Sequence, residues 1–466
     1  MILDKQIDQL KEDLIKSVQD CIRIKSVKDI NKASEECPFG PGIEECLNWT
    51  LELGQKFGFT VKNIDGYAGQ IEMGSGELVG ILGHLDVVPE GDGWSVPPYG
   101  GIIQDEKIYG RGALDDKGPT LAVLYAMKAI RDANLPLVKT VRLILGTDEE
   151  SGWTDMKYYK GKEEIPQFGF APDAEFPLIH AEKGILHLEF SCELPYMEHI
   201  VEISAGERAN IVPDLCRMKL RFLEIDLLRS MLEEYSFPDG VSARIEEVPG
   251  EELRLVFSGV SAHGSLPQNG KNAAIYALKF LQALPLNLEE KDLLNWVLNY
   301  PGQGVNGEGF GIAFSDEPSG KLSLNLGILT FKDNKFSLVI DIRYPVTFSE
   351  DQILKPIRNK LFRQSMRLNI RSSQHPHYVP KDSPFIQSLL DAYSLVTGLK
   401  PYAFAIGGGT YAKVLPQGVA FGPVLPGEPE VIHCPDEYIS INNLILTTKV
   451  YTQAILNLAL DPNYKS

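Results

Sequence analysis

The stretch ELVGILGHLDVVP, residues 77–89, begins with an apolar run and ends in polar residues. The apolar run lacks polar alternation, which is typical of a strand buried on both faces of a sheet. At its end, His84 and Asp86 stand two positions apart. Because alternate residues of a strand share one face, both side chains can reach the same point.

The same pattern of an apolar run followed by polar residues returns twice after a helical segment. VKTVRLILGTDEES, residues 138–151, and QFGFAPDAEFP, residues 167–177, are apolar runs that end in acidic residues. Between these runs and the first one, Pro119 opens a helix with periodic apolar residues. Strands alternating with helices predict an α/β fold, in which a mixed, largely parallel sheet is covered by helices on both faces.

The pattern changes near residue 184, where strands with stronger polar alternation begin. Helices that alternate with apolar strands return near residue 380. This predicts one domain built from residues 1–185 and 380–466, and an inserted α+β domain, residues 186–379, on an antiparallel sheet. The insert is long enough to hold two copies of a smaller α+β unit.

The domain formed by residues 1–185 and 380–466 carries acidic residues and histidines at the ends of apolar runs and in the turn before the Pro119 helix: His84 and Asp86; Asp115 and Asp116 in that turn; Asp148, Glu149 and Glu150; Asp173; and His433. Each group taken alone is most simply a solvated loop. Together, at the carboxyl ends of parallel strands, they would form an anionic pit that needs a cation. Carboxylate and imidazole ligands suit Zn²⁺, Mn²⁺ or Co²⁺, and their number suggests two ions.

Composition limits the classes of partner and compartment. The 466 residues carry 63 acidic and 45 basic side chains, a formal charge of −18 that argues against binding to a phosphate backbone. The six cysteines form no CxxC pair, which favours free thiols in a reducing compartment. No signal peptide or long apolar run is evident, so we expect a cytoplasmic protein without a membrane partner.

The motifs, in their order, resemble the dinuclear zinc metallopeptidases that include aminoacylase, acetylornithine deacetylase, succinyl-diaminopimelate desuccinylase, carboxypeptidase G and carnosinase. The peptidase V type of bacterial dipeptidase, an Xaa-His dipeptidase-like branch with an enlarged lid, is the most similar branch. The resemblance spans almost the whole chain and rests on HLDVVP, YGRGALDDKGP, DEESG, FAPDAEFP, SAHGSLPQNGKNA, IGGGTYAK and EVIHCPDE.

The resemblance implies that residues 1–185 and 380–466 form the catalytic, dinuclear-metal domain and that the insert is its lid. It also implies a role for each strand-end residue. Asp115 would bridge two divalent ions, Zn²⁺ first among the candidates. The other metal ligands would be His84 and Asp173 at one ion, and Glu150 and His433 at the other. Asp86 would orient His84, and Glu149 would act as the general base.

The resemblance also implies roles for residues of the insert. His263 would stabilise the oxyanion, whereas alone it is an ordinary loop histidine. Arg343 would bind the substrate carboxylate, a task that suits a planar guanidinium, although a surface salt bridge is the simpler interpretation. Asn210 would lie beside the substrate. Gly408 and Gly409, ahead of a helix expected from Thr410 onward, could offer N–H groups to the carboxylate.

These roles predict a monomeric, metal-dependent dipeptidase that recognises the free C-terminal carboxylate of a small peptide. Two alternatives remain open: an N-acyl amino acid deacylase or desuccinylase of the same family, and a non-catalytic metal-binding homologue. The enlarged insert argues against the first. The second has no use for a general base such as Glu149.

Overall fold

The structure, a computed structural model, describes residues 3–247, 252–429 and 431–460. Residues 461–466 of the predicted catalytic domain, and residues 1–2, lie outside the described residues. The helices are α1 Asp4–Arg23, α2 Pro41–Lys56, α3 Lys117–Asp132, α4 Thr154–Lys162, α5 Ile225–Glu234, α6 Ala273–Gln282, α7 Leu288–Asn299, α8 Glu350–Arg358, α9 Pro384–Thr397 and α10 Ile441–Ala459.

The strands fall into a run before the insert, a run within it and a short final run. They are β1 Thr60–Ile64, β2 Ala68–Met73, β3 Leu78–His84, β4 Ile102–Gln104, β5 Lys107–Tyr109, β6 Thr140–Gly146, β7 Phe168–Ala171, β8 Ala174–Glu175, β9 Ile179–Glu182, β10 Gly184–Glu193, β11 Ile200–Ala205, β12 Leu215–Arg221, β13 Ser242–Glu247, β14 Glu252–Ser258, β15 Ser315–Asp316, β16 Gly320–Lys321, β17 Ser323–Lys332, β18 Lys335–Tyr344, β19 Arg367–Gln374, β20 His377–Tyr378, β21 Phe404–Ile406, β22 Gln417–Ala420, β23 Pro423–Val424 and β24 Tyr438–Ser440.

The chain divides into two compact units. The first contains residues 1–180, 378–404 and 409–466, and the second contains residues 181–377 and 405–408. The sequence places residues 405–408 with the catalytic domain, whereas in the structure they belong to the second unit. The assignment of catalysis to one unit and of a lid to the other stays a prediction.

A mixed sheet forms the centre of the first unit, with strand order β1-β2-β6-β3-β7-β22-β9-β20 and with β21 beside β9. Neighbours among β6, β3, β7 and β22 are parallel, and β1, β2 and β9 join antiparallel. The predicted mixed α/β sheet is therefore confirmed, with its parallel pairs in the middle.

Helices cover both faces of this sheet, as neighbouring residues of β2 show. A Cβ atom on Gly69 would lie 2.8 Å from Leu47 of α2, so this side of the strand faces α2. The side chain of Gln70, the next residue, accepts a hydrogen bond of 2.8 Å from the Tyr159 hydroxyl of α4. Because successive residues point to opposite faces, α2 and α4 lie on opposite sides.

The second unit is built on an eight-stranded sheet of order β13-β14-β12-β11-β17-β18-β10-β19, in which every neighbouring pair is antiparallel. Helices α6, α7 and α8 contribute buried apolar residues to one core with this sheet. The predicted α+β insert on an antiparallel sheet is confirmed. That it arose from two copies of a smaller unit stays a prediction.

The six cysteines all carry free thiols. Among the described residues, no helix combines the length and apolarity needed to cross a membrane.

Candidate metal centre

The candidate site lies at one edge of the first unit's sheet, where three parallel strands end. His84 is the last residue of β3, Asp173 follows β7 by two positions, and the segment 148–150 follows β6. Because β6, β3 and β7 are parallel neighbours, their carboxyl ends reach the same edge. Asp115 comes from the turn before α3, and His433 comes from the loop before β24.

The first cluster is centred on His84, whose side chain is buried. Its Nε2 atom lies 2.9 Å from Asp115 Oδ1 and 3.5 Å from Asp173 Oδ2. Ligand atoms of His84, Asp173 and Glu149 all lie within 4.8 Å of one another. These atoms can therefore surround one cation, and Glu149 stands within reach of it.

The second cluster is centred on His433, whose side chain is 50% exposed. Its Nε2 atom lies 2.9 Å from Asp115 Oδ2 and 3.0 Å from Glu150 Oε1. Asp115 thus directs one carboxylate oxygen toward each histidine. This geometry suits a carboxylate shared by two cations.

Asp86 holds its neighbours through both backbone and side chain. Its carbonyl oxygen lies 2.9 Å from His84 Nδ1, which leaves Nε2 directed at the carboxylates. Its carboxylate lies 3.5 Å from the same Nδ1 and accepts the backbone N–H groups of Glu149 and Glu150 at 3.2 and 3.1 Å. A fixed imidazole with its second nitrogen hydrogen-bonded is the usual setting of a metal-bound histidine.

Crowded carboxylates give the site an unusual electrostatic balance. Burial, with nearby carboxylates such as Asp115, raises the pKa values of Glu149, Asp173 and Glu150 above their ordinary range. Burial would lower the pKa of His433, but hydrogen bonds to Asp115 and Glu150 raise it to about 11. Burial would also lower the pKa of His84, yet its contacts with Asp115 and Asp173 raise it well above normal.

These residues fit divalent metal ions. The carboxylates of the two clusters lie close together, and bound cations would balance their negative charge. The donors are carboxylate oxygens and imidazole nitrogens, in two groups of three, and this donor chemistry suits Zn²⁺, Mn²⁺ or Co²⁺.

Glu437 organises the turn that carries Asp115, a role that the sequence did not reveal. Its fully buried carboxylate accepts the backbone N–H groups of Gly112, Leu114 and Asp115 at 3.0–3.2 Å, and Arg111 Nη1 at 2.5 Å. Burial and the charge of Asp115 raise the pKa of Glu437 to about 7. The only available signal was its position at the end of the motif EVIHCPDE.

Two further acids support the strand ends. Asp116 Oδ2 accepts the backbone N–H of His84 at 3.1 Å and the Thr120 hydroxyl at 2.8 Å. Asp155 accepts the N–H of Thr147 at 2.8 Å and the hydroxyl of Tyr411. Both fix the backbone where β3 and β6 end.

In the second unit, His263 lies close in structure to Asn210. The residue pairs with Ile211 in a short antiparallel bridge, and Gly264 N–H donates to the Asn210 carbonyl at 2.7 Å. His263 Nδ1 accepts the Ser265 N–H at 3.2 Å and lies 2.7 Å from its hydroxyl. Since an N–H group can only donate, Nδ1 is the acceptor and the neutral ring carries its proton on Nε2.

Arg343 is buried, and its guanidinium is already partly engaged. It donates to both oxygens of Asp341 at 2.8 Å and to the Gly407 carbonyl at 2.7 Å. A guanidinium has five N–H donors, so N–H groups remain on Nη1 and Nη2 for another acceptor.

The prediction of a helix from Thr410 onward is wrong. Only the short 3₁₀ helix Tyr411–Val414 forms, and the Thr410 side chain accepts the N–H of Ala412 at 3.2 Å. Pro416 ends the segment, because the residue before a proline disfavours helical backbone. Gly408 belongs to the second unit and Gly409 to the first.

The fold and the site together define a class, that of two-unit α/β proteins with clustered carboxylate and imidazole side chains at the end of a mixed sheet. The profile of peptidase family M20/M25/M40 matches residues 80–457, and the chain belongs to this family. The family predicted from the motifs is confirmed.

Full-length relatives extend this result. A Bacillus subtilis protein named "Putative dipeptidase YtjP" is 41% identical over 469 residues, which cover 97% of this chain and 99% of that protein. A Staphylococcus aureus protein named "Putative dipeptidase SAR1836" is 36% identical over 468 residues, covering 98% and 99%.

Solved structures share the fold. Human carnosine dipeptidase 1 superposes with a TM-score of 0.56 at 18% identity, covering 98% of each chain. The aminoacylhistidine dipeptidase of Vibrio alginolyticus gives a TM-score of 0.57 at 14% identity, covering 97% of each chain.

Proposed function

We propose that this protein is a dipeptidase that uses two divalent ions, with Zn²⁺ first among the candidates and Mn²⁺ or Co²⁺ as alternatives. The observation that carries the proposal is the pair of clusters joined by Asp115, whose two oxygens lie 2.9 Å from His84 and 2.9 Å from His433. The dipeptidase names of the relatives at 41% and 36% identity support the choice of substrate.

Five side chains would hold the ions. We assign His84 and Asp173 to one ion, Glu150 and His433 to the other, and Asp115 to both. When bound, the ions would lower the pKa of a water molecule and polarise the scissile carbonyl. Asp86 would keep the His84 imidazole in place.

Glu149 is the proposed general base. It accepts a proton from the attacking water and then delivers that proton to the leaving amine. A carboxylate oxygen of Glu149 lies within 4.8 Å of ligand atoms of His84 and Asp173, so Glu149 stands at the first cluster.

The second unit supplies the proposed substrate contacts. His263, with its proton on Nε2, donates to the carbonyl oxygen as negative charge develops there. Arg343 binds the free C-terminal carboxylate through its remaining N–H groups, and Asn210, Gly408 and Gly409 complete the polar surroundings. Such an enzyme would act within one chain in the cytoplasm, on small peptides and without nucleic acid or membrane.

A substrate panel tests the proposal. Metal-stripped protein is restored with Zn²⁺, Mn²⁺ or Co²⁺ and given one dipeptide in free, N-acetylated and C-terminally amidated forms. We expect hydrolysis only after metal is restored, with the free dipeptide fastest. Faster cleavage of the N-acetylated form would instead identify a deacylase, and no cleavage of any form would favour a non-catalytic homologue.

A further inference from the structure

Asp341 occupies a central position in the second unit. It lies on β18, between β17 and β10, two residues before Arg343. Alternate residues of a strand share one face, so the two side chains project from the same side of the sheet. Asp341 is fully buried and Arg343 is 5% exposed.

The contact between these two side chains fixes the guanidinium plane. Asp341 Oδ1 accepts Nε and Oδ2 accepts Nη2, both at 2.8 Å, in the bidentate arrangement that a carboxylate and a guanidinium favour. Nη1 is held separately by the Gly407 carbonyl at 2.7 Å. Three anchors therefore leave the remaining N–H donors in one orientation.

The same carboxylate also touches the turn that carries His263. A Cβ atom on Gly264 would lie 2.8 Å from Asp341 Oδ2 and 2.9 Å from the Asn210 backbone. The 264 position therefore has no room for a side chain. Asp341 therefore lies beside both the arginine and the turn that carries His263.

Asp341 is ionised in this setting. Burial would raise its pKa, but His187, whose Nε2 lies 3.5 Å from Oδ1, and Arg343 together hold the pKa below its usual value. A buried charge of this kind is stable only while its partners stay in place. Asp341 and Arg343 therefore each stabilise the position of the other.

We infer that Asp341 is a positioning residue for recognition of the substrate carboxylate. It holds the guanidinium of Arg343 in one orientation. The inference rests on the proposed function, because it assumes that Arg343 binds the C-terminal carboxylate of a dipeptide.

The variant Asp341→Asn tests this inference, since it keeps the shape of the side chain and removes its charge. The measurement is the ratio of kcat/KM for a free dipeptide to that for its C-terminal amide. We expect the ratio to fall about 10- to 100-fold, the scale of a hydrogen bond to a charged group. The loss should lie in KM for the free dipeptide, with kcat little changed.

A matched control separates positioning from general stability. Glu290 is also a fully buried carboxylate of the second unit, and it accepts the N–H groups of His199 and Ile200 at 2.5 and 2.9 Å. Glu290→Gln should lower the thermal midpoint while leaving the carboxylate-to-amide ratio unchanged. The inference would be overturned if Asp341→Asn and Glu290→Gln gave the same ratio of kcat/KM for the free dipeptide to kcat/KM for its amide.

Arg343→Lys gives a second measurement if Asp341→Asn fails to fold. Lysine keeps the positive charge beside Asp341 but lacks the planar guanidinium that binds a carboxylate bidentately. The ratio of kcat/KM for the free dipeptide to that for its amide should therefore fall again. An unchanged ratio in Arg343→Lys would also overturn the inference. If the wild type itself shows no preference for the free carboxylate, the recognition step of the proposed function fails first, and this inference fails with it.

Discussion

Glu149 and Glu150 are chain neighbours with different surroundings. Glu149 groups with His84 and Asp173, whereas Glu150 Oε1 lies 3.0 Å from His433. Both backbone N–H groups are held by Asp86, so the two side chains leave a fixed backbone. The difference in partners allows their roles to be separated by substitution.

We predict that Glu149→Gln retains two ions per chain and loses about 10²- to 10⁴-fold in kcat, because only proton transfer is removed. Glu150→Gln should instead weaken one metal site. Metal content after dialysis and kcat at saturating metal measure the two effects. Equal loss of metal in both variants would show that Glu149 is itself a ligand.

Asp115 gives a second test at the level of one side chain. Asp115→Asn should reduce occupancy at both sites, because each carboxylate oxygen faces a different histidine. Asp173→Asn should reduce it at one site only. Elemental analysis of the wild type and both variants measures the number of bound ions per chain. A wild type with one ion per chain would contradict the dinuclear arrangement.

The turn before α3 depends on a residue far along the chain. Glu437, from the segment leading into β24, receives three backbone N–H groups of that turn and one guanidinium N–H of Arg111. These bonds fix the backbone that carries Asp115.

We predict that Glu437→Ala destabilises the protein by about 3–5 kcal/mol, because it leaves Arg111 buried without its partner. Glu437→Gln should cost less, since an amide oxygen can still accept some of the N–H groups. Urea unfolding of metal-stripped protein measures both. Asp132→Ala, which removes partly exposed ion pairs with Lys128 and Arg131, should cost about 0–1 kcal/mol and serves as the control.

Strand ends were predictable from sequence, and the supports around them were not. His84 and Asp173 follow apolar runs, so local pattern alone places them at one edge of the sheet. Glu437 accepts backbone N–H groups of a segment distant in the chain, and Asp155 accepts the hydroxyl of the equally distant Tyr411, and no local pattern encodes such pairings. The helix expected after Gly409 failed because Thr410 and Pro416 shorten it to one 3₁₀ turn.

The whole molecule consists of two units, and the proposed chemistry needs residues from each: Glu149 from the first, His263 from the second. The expected monomer would supply both from one chain. An enzyme that shares sites between subunits would draw them from different chains.

We therefore predict that inactive His263→Ala mixed with inactive Glu149→Gln recovers no activity. His263→Ala alone should lose about 10²- to 10³-fold in kcat, the scale of removing an oxyanion donor. Activity assays of the mixture, with light scattering for mass, provide the measurement. Recovered activity in a species of twice the chain mass would indicate a dimer with shared sites.

The order of strands in the first sheet has a consequence for biosynthesis. β7 ends at Ala171 and pairs on one side with β3, but its other neighbour, β22, begins only at Gln417. While the ribosome translates the intervening codons, that edge of β7 has no partner from its own sheet, and unpaired edges promote aggregation. That edge of β7 therefore stays unpaired until residue 417 is translated, and we expect products truncated before residue 417 to aggregate more readily than the full chain.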